Sequence, residues 1–265
     1  MHGEPRFSAI VLAGDRHPGD PVAAAAGVAA KCLTPIAGAP MVVRVVRALE
    51  QSRCVQSILL CGPADETFRG SPELTRMAAA GGVRWLAPAG SPSASAALAL
   101  AALPEHEPVL LTTGDHALLR PDMVRHFIDR AGASGADVAV ALAPHGLVRE
   151  AYPHTRRTVL KFSDGHFCGC NLFAFLTPRG RRMALLWRQV EAQRKRPIRV
   201  IGLVGWAAMA LDALRLLSLA GAVKRISRQT GIATGVVIMP FAEAAIDVDS
   251  VADLDLVQAI VARTG

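Results

Sequence analysis

At 265 residues, 51% hydrophobic and 19% charged, the chain is long enough for a sizeable core and too apolar to be disordered. Its net charge of +7 is uneven: residues 177–230 carry twelve Lys/Arg against two acids, a net of +10, and leave the rest at −3. That distribution argues against a protein coated for nucleic acid and for one local anionic partner.

The apolar run 7–12 reads as a strand that empties into a turn at Ala13-Gly14, followed by Arg16, a loop of small residues and Lys31. Strand, small-residue loop and helix in that order make a cradle for an anion. Backbone N–H groups point inward and two cations close over the site. A helix over 40–51 follows, with Pro40 suited to its first turn. Next come a strand at 57–61, a helix at 72–80 ended by Gly81-Gly82, and a strand at 83–86. An alanine-rich helix at 93–103 takes its cap from Ser91, Ser93 or Ser95. A buried strand at 108–112 ends in Thr113-Gly114-Asp115-His116, and a helix at 121–133 leads to a strand at 137–143. This alternation predicts a three-layer, Rossmann-like α/β/α arrangement with a mainly parallel mixed sheet. Ligands then bind at the carboxyl ends of the strands, where Gly14 and Asp115 both fall. Strands at 158–162 and 167–175, a basic helical insertion over 178–228, strands at 233–239 and 245–248, and a closing helix at 251–263 complete the chain. Without repeat or linker, residues 1–265 read as a single domain.

The five cysteines (Cys32, Cys54, Cys61, Cys168, Cys170) are odd in number, and Cys168-Gly169-Cys170 lacks zinc spacing, so reduced thiols in a cytoplasmic protein are expected. Residues 1–5 show neither the basic start nor the apolar middle of a signal peptide. Segment 200–223 is long enough to span a membrane, but Asp212 and Arg215 interrupt it at a cost of about 2.5–3.5 kcal/mol each. A buried or interfacial helix is the better reading. Arg181-Arg182, Arg194-Lys195-Arg196, Arg199, Lys224-Arg225 and Arg228 surround it. A solvated face, a pocket for a phosphorylated acceptor and a membrane-surface patch all stay open, with RNA last for want of interleaved aromatics.

Leu12-Ala13-Gly14 with Arg16, then Lys31-Cys32-Leu33 and Gly38-Ala39-Pro40-Met41, resembles the N-terminal signature of the GT-A-like nucleotidyltransferases. The branch resembled holds the molybdenum-cofactor guanylyltransferase-like and sugar- or polyol-phosphate enzymes. Gly114-Asp115-His116-Ala117-Leu118 is similar to that family's Gly-Asp-x-Pro-Leu strand end, and Asp247-Val248-Asp249, with Asp253-Leu254, to its closing acidic segment. The first loop is neither a Walker A nor a GxGxxG motif.

The resemblance implies a GT-A-like fold and Mg²⁺-dependent transfer of NMP from an NTP to a phosphorylated small molecule, with release of pyrophosphate. Arg16 and Lys31 would grip the phosphates. Leu12, Ala13, Gly14 and Gly114 would contact the nucleotide, as would Ser93 and Ser95 unless they only cap their helix. Gly169 and Asn171, as a Gly-x-Asn turn, would hold the acceptor; Asn171 could equally pair with backbone in a strand. Asp115 and Asp247 would hold Mg²⁺, with Asp249 either a third ligand or the N-cap of the closing helix. His116 would position phosphate or serve the structure.

The chemistry agrees, because in-line attack on a phosphate needs cations and N–H dipoles more than a covalent nucleophile. Mg²⁺ commonly takes one or two carboxylates plus substrate phosphates. Departures from the family pattern, namely Asp15-Arg16-His17-Pro18 in the loop, Ala30 before Lys31, Ala117, and Val251-Ala252, bear on base preference and remove no proposed ligand. Two rivals differ in kind. A GT-A glycosyltransferase would carry Asp-x-Asp where Gly114-Asp115-His116 has one acid. A non-catalytic adaptor would bind NTP or a membrane surface without turnover.

Overall fold

Strand β1 (Phe7–Leu12) sends alternate side chains into two cores: Phe7, Ala9 and Val11 into one, Ile10 into the other. A strand covered on both faces must satisfy any polar residue it carries. Buried Ser8 does so by bonding to the Ser57 hydroxyl at 2.8 Å and to Glu107 at 2.6 Å. Parallel neighbours on either side, β4 (Val55–Cys61) and β6 (Val109–Thr113), sort their side chains between the same two cores.

These strands are seen in a computed structural model that describes residues 7–15, 19–193 and 217–264. The remaining strands are the pair β2 (Pro35–Ile36) and β3 (Ala39–Pro40), then β5 (Val83–Leu86), β7 (Val138–Pro144), β8 (Val159–Phe162), β9 (Gly165–Phe175) and β10 (Thr234–Ile238). The eight-stranded sheet has the order β10-β7-β9-β6-β1-β4-β5, with β8 on β9. Strand β9 runs against its neighbours; the other pairings along the order are parallel. Helices α2 (Met41–Ser52), α6 (Pro121–Gly132) and α10 (Val251–Thr264) fill the core on one face, and α5 (Pro92–Ala101) and α8 (Pro178–Gln193) fill it on the other. The expected mixed, mainly parallel α/β architecture is the one observed.

Four short helices, α1 (Pro21–Ala26), α3 (Asp65–Gly70), α4 (Pro72–Ala79) and α7 (His145–Ala151), and the longer α9 (Leu219–Thr230) complete the described residues. Helix α1 occupies what reads in sequence as loop. It has a full set of end signals: Asp20 accepts from Val22 N at 2.9 Å and Ala23 N at 3.2 Å, Pro21 opens the helix, and Gly27 closes it at φ 65°. Six alanine-rich residues simply carry no amphipathic period to announce it.

Two expectations are corrected. Residues 245–248 do not form a strand. A 3₁₀ turn over Ala242–Ala245 leads into an extended segment whose Val248 N–H donates to the Asp115 carbonyl at 3.2 Å. Ile246 and Val248 are fully buried there, so their alternation reports burial and not pairing. Nor is Gly169–Cys170–Asn171 a turn. It lies inside β9, where Asn171 takes a left-handed φ of 46° beside a register shift between β7 and β9.

The basic segment is partly structural. Arg16, Arg194-Lys195-Arg196, Arg199 and most of segment 200–223 lie outside the described residues. No helix among the described residues is long and apolar enough to cross a membrane. Helix α8 is a covering layer of the sheet: Met183 and Ala184 are buried, and Trp187 packs edge-on against Phe173 and Phe175. Arg181 is not free for a ligand. Its guanidinium donates to the carbonyls of Leu100 and Leu103 at 3.0 Å, Pro104 at 2.5 Å and Glu107 at 2.8 Å, satisfying the carboxyl end of α5 and the turn after it. Arg181→Ala should therefore destabilise the fold by about 1.5–3 kcal/mol, the range for hydrogen bonds to a charged group. The readout is a lower urea midpoint at unchanged slope. A wild-type midpoint would mean that water replaces these bonds without loss.

Candidate active site

The ends of three central strands are stitched together by backbone. Ala13 N donates to Cys61 O at 2.8 Å and Gly114 N to Leu12 O at 2.8 Å, so the turns after β1, β4 and β6 share one floor. Small residues make this approach feasible. Gly62 sits at φ +95°, and a Cβ there would fall 2.5 Å from Gly14 N. A Cβ on Gly14 would in turn lie 2.9 Å from the Pro88 side chain.

Over this floor the expected charges assemble. Lys31, on a 3₁₀ turn (Lys31–Leu33), donates from Nζ to Asp115 Oδ2 at 2.5 Å and to Asp249 Oδ1 at 3.1 Å. Burial alone would disfavour its ammonium, but Asp115 and Asp249 reverse that and push its pKa up. Asp115 is largely buried, at 14% side-chain exposure, and its second oxygen, Oδ1, is buried without a hydrogen-bond partner. Asp249 is open to solvent at 53%.

Asp249 is not the cap of α10. Ser250 Oγ accepts from Asp253 N at 3.2 Å, and Asp253 reaches back to Asp249 N at 3.3 Å and Ser250 Oγ at 2.7 Å, a reciprocal capping box. This leaves the Asp249 carboxylate available to Lys31.

Asp247 is held differently. Its Oδ2 accepts from Asn171 Nδ2 at 2.6 Å, its Oδ1 from the Arg157 guanidinium, and Arg157 also donates to the Asp247 carbonyl at 3.1 Å. The other arm of Arg157 pairs with Asp253. Burial and then the charges of Asp115 and Asp249 raise the Asp247 pKa to about 6, against the pull of Arg157 and Asn171. Lys31, Asp115, Asp247, Asp249 and Asn171 thus come together from distant parts of the chain, with Lys31 joined to Asp115 and Asp249 and not to Asp247.

The other expected residues stand outside the Lys31–Asp115–Asp249 contact. Ser95 Oγ is buried and accepts from Ala89 N at 2.9 Å. Ser91 is the N-cap of α5. Ser93, through both its hydroxyl and its N–H (3.2 Å), and Ser91 Oγ (2.9 Å) converge on the Glu191 carboxylate of α8. Gly169 is exposed on β9. His116 is fully buried against the Glu243 and Ala244 backbone, and burial lowers its pKa to about 4. A neutral ring facing the core serves structure and does not reach for phosphate.

Three residues escape the sequence reading: Arg157, Glu191 and Asp15, whose carboxylate accepts from Lys31 N at 3.2 Å. None stands in a motif. The only signal for Asp15 is that an acid interrupts a phosphate-type loop. A cavity of about 400 Å³ opens beside this loop, lined by Asp15, Asp20, Ala30, Pro63 and Pro88 among others. It does not include the Lys31–Asp115 pair.

Comparison with known proteins follows the same lines. Residues 9–232 match the MobA-like NTP transferase domain. A hypothetical transferase from Thermus thermophilus is 31% identical, with a TM-score of 0.75 over 94% of this chain and 99% of that one. The fold is shared with CMP:2-keto-3-deoxy-manno-octonic acid synthetase complexed with CTP, at 15% identity and a TM-score of 0.56 over 98% of this chain and 100% of that one. It is shared also with 4-diphosphocytidyl-2C-methyl-D-erythritol synthase from Anaerococcus prevotii, at 10% identity and a TM-score of 0.58 over 97% and 99%. The bifunctional protein GlmU of Geobacter metallireducens is 36% identical over 110 residues, which are 42% of this chain and 23% of that protein. The family match spans the phosphate-type loop, Lys31 and Asp115 together, and the chain belongs to the MobA-like NTP transferase family of nucleotidyltransferases.

Proposed function

We propose that this nucleotidyltransferase moves NMP from an NTP to a phosphorylated small molecule, using Mg²⁺ and releasing pyrophosphate in a reducing cytoplasm. The observation that carries this reading is the Lys31–Asp115–Asp249 contact, with Asp247 alongside, at the carboxyl end of β6. The bound CTP of the synthetase neighbour supports a nucleoside triphosphate as donor. The odd number of cysteines without zinc spacing is the reason to expect a reducing compartment.

The residues fit a hard divalent cation. Asp115 Oδ1 is a buried acceptor with nothing to accept from, which a cation would satisfy. Among the described residues no three His, Cys, Asp or Glu side chains are grouped to hold a metal ion, so substrate phosphates would have to supply the rest of the coordination. Asp115 and Asp247 would hold Mg²⁺, with Asp249 as a third candidate. Bound there, the ion would offset the charge of the triphosphate and of the departing pyrophosphate.

The chain's own groups do the remainder. Lys31, now neutralised by two carboxylates, would turn to a phosphate oxygen, with Arg16 as the second cation. The backbone of Leu12, Ala13, Gly14 and Gly114 would line the nucleotide. Ser93 would meet its base or ribose by exchanging Glu191 for the ligand, and buried Ser95 would serve the same contact by holding the Ala89 turn. Gly169 and Asn171 would face the acceptor, Asn171 while orienting Asp247.

A panel of four NTPs against sugar-phosphate and polyol-phosphate acceptors should reveal pyrophosphate release, and Asp115→Asn should lower it by about 10²-fold or more. An Asp115→Asn protein working at the wild-type rate would sink the proposal.

Acids gathered for a cation cost stability while it is absent. Because the folded-state pKa of Asp247 is raised to about 6, its stabilising contribution is present at low pH and is lost as pH rises through that value. Asp247→Asn should therefore be more stable than wild type at pH 7.5 without metal, by on the order of 1–2 kcal/mol, and equal to it only near pH 3.5, below the ordinary carboxylate pKa, where both states are protonated. Thermal unfolding at the two pH values reads this directly. A variant less stable at both would show that Arg157 and Asn171 outweigh the penalty.

A further inference from the structure

Asp115 and Asp247 are held in opposite ways. Asp115 has one partner, Lys31, and one unpartnered oxygen, whereas both oxygens of Asp247 accept hydrogen bonds from the protein. The strongest of these holders is Arg157. Its side chain is 9% exposed, and its guanidinium is divided between the Asp247 carboxylate, the Asp247 carbonyl and the Asp253 carboxylate. Asp253 closes the cap of α10, so one side chain joins the segment before β8, the candidate ligand and the first turn of the last helix.

A guanidinium so enclosed has no arm left for a substrate phosphate. Its planar fork is suited to fixing two carboxylates at once, which a lysine is not. Two physical effects then oppose one another. A positive charge near the site weakens cation binding by Coulomb repulsion, while a fixed carboxylate strengthens it by removing the cost of ordering the ligand. Hydrogen bonds from all three guanidinium nitrogens, Nε to Thr155 included, with Asn171 bracing the other oxygen, favour the ordering effect.

We propose that Arg157 is the positioning residue of the carboxylate site, fixing Asp247 so that it and Asp115 can bind one divalent cation. This rests on the metal-assisted reading above.

The test is Mn²⁺ binding to the full chain without nucleotide, followed by electron paramagnetic resonance of the free ion, for wild type, Arg157→Ala, Arg157→Lys and Asp115→Asn. Arg157→Ala should weaken Mn²⁺ by about tenfold or more, and Arg157→Lys, which keeps the charge but reaches one carboxylate, should recover only part of that. In pyrophosphate release, kcat should fall while KM for the NTP stays within about twofold of wild type. Unfolding curves confirm that each variant is folded, and Arg157→Lys alone decides the matter should Arg157→Ala not fold. Unchanged or tighter Mn²⁺ binding in the folded variants overturns the inference, since loss of a nearby cation would by itself tighten it. If Asp115→Asn also binds Mn²⁺ as wild type does, the metal reading fails. If Asp115→Asn loses binding and the Arg157 variants keep it, only the role of Arg157 fails.

Discussion

Like charges do not gather in a protein unless opposite charges come between them, and that constraint shapes the open end of this sheet. Asp115, Asp247 and Asp249 share one region because Lys31 bridges two of them and Arg157 ties the third to Asp253. The result is a row of two acid–cation–acid groups, Asp249–Lys31–Asp115 and Asp247–Arg157–Asp253, which meet at Asp115 and Asp247. Removing either cation would leave partly buried carboxylates uncompensated, a loss of about 3–5 kcal/mol in comparable buried pairs. The row also explains why the Lys31 ammonium is held so firmly before any phosphate arrives.

The rest of the architecture supplies the row with its members. Strand β6 ends at Thr113 and presents Asp115 beyond it, while the irregularity in β9 places Asn171 against Asp247. The capping box of α10 occupies Ser250 and Asp253, which frees Asp249. Beneath them, the Gly62 and Gly14 contacts let the strand ends close to distances that side chains would forbid. Parallel strands are suited to this, since the turns after them converge on one edge of the sheet.

Much of the fold was readable in the sequence, because hydrophobic period decides long elements: β1, α2, β6 and α6 lie within a residue or two of where apolar spacing puts them. The failures have causes. Helix α1 has caps but no period. Residues 245–248 alternate because Ile246 and Val248 are buried, and burial does not require a paired strand. At the site, Lys31, Asp115 and Asp247 could be named from motifs. Sequence could not say that Lys31 would face Asp249, since Asp249 and Ser250 are equally able to cap and only the tertiary contact separates them. Arg157 was hidden for a different reason: next to Arg156 it looks like any surface arginine, and nothing local marks which of two adjacent guanidinium groups is enclosed.

Helices α5 and α8 share a feature with a geometric consequence. Arg181, early in α8, binds the carboxyl end of α5, and Glu191, late in α8, binds its amino end through Ser91 and Ser93. A cation therefore meets the negative pole of α5 and an anion the positive pole, as its dipole favours. Helix α5 is 10 residues long, about 15 Å at 1.5 Å per residue, and the two charged residues of α8 stand the same distance apart. The antiparallel pair works as a gauge block: each helix measures the other. One residue inserted between Arg181 and Glu191 would rotate the second contact by about 100° and leave only one pole of α5 answered.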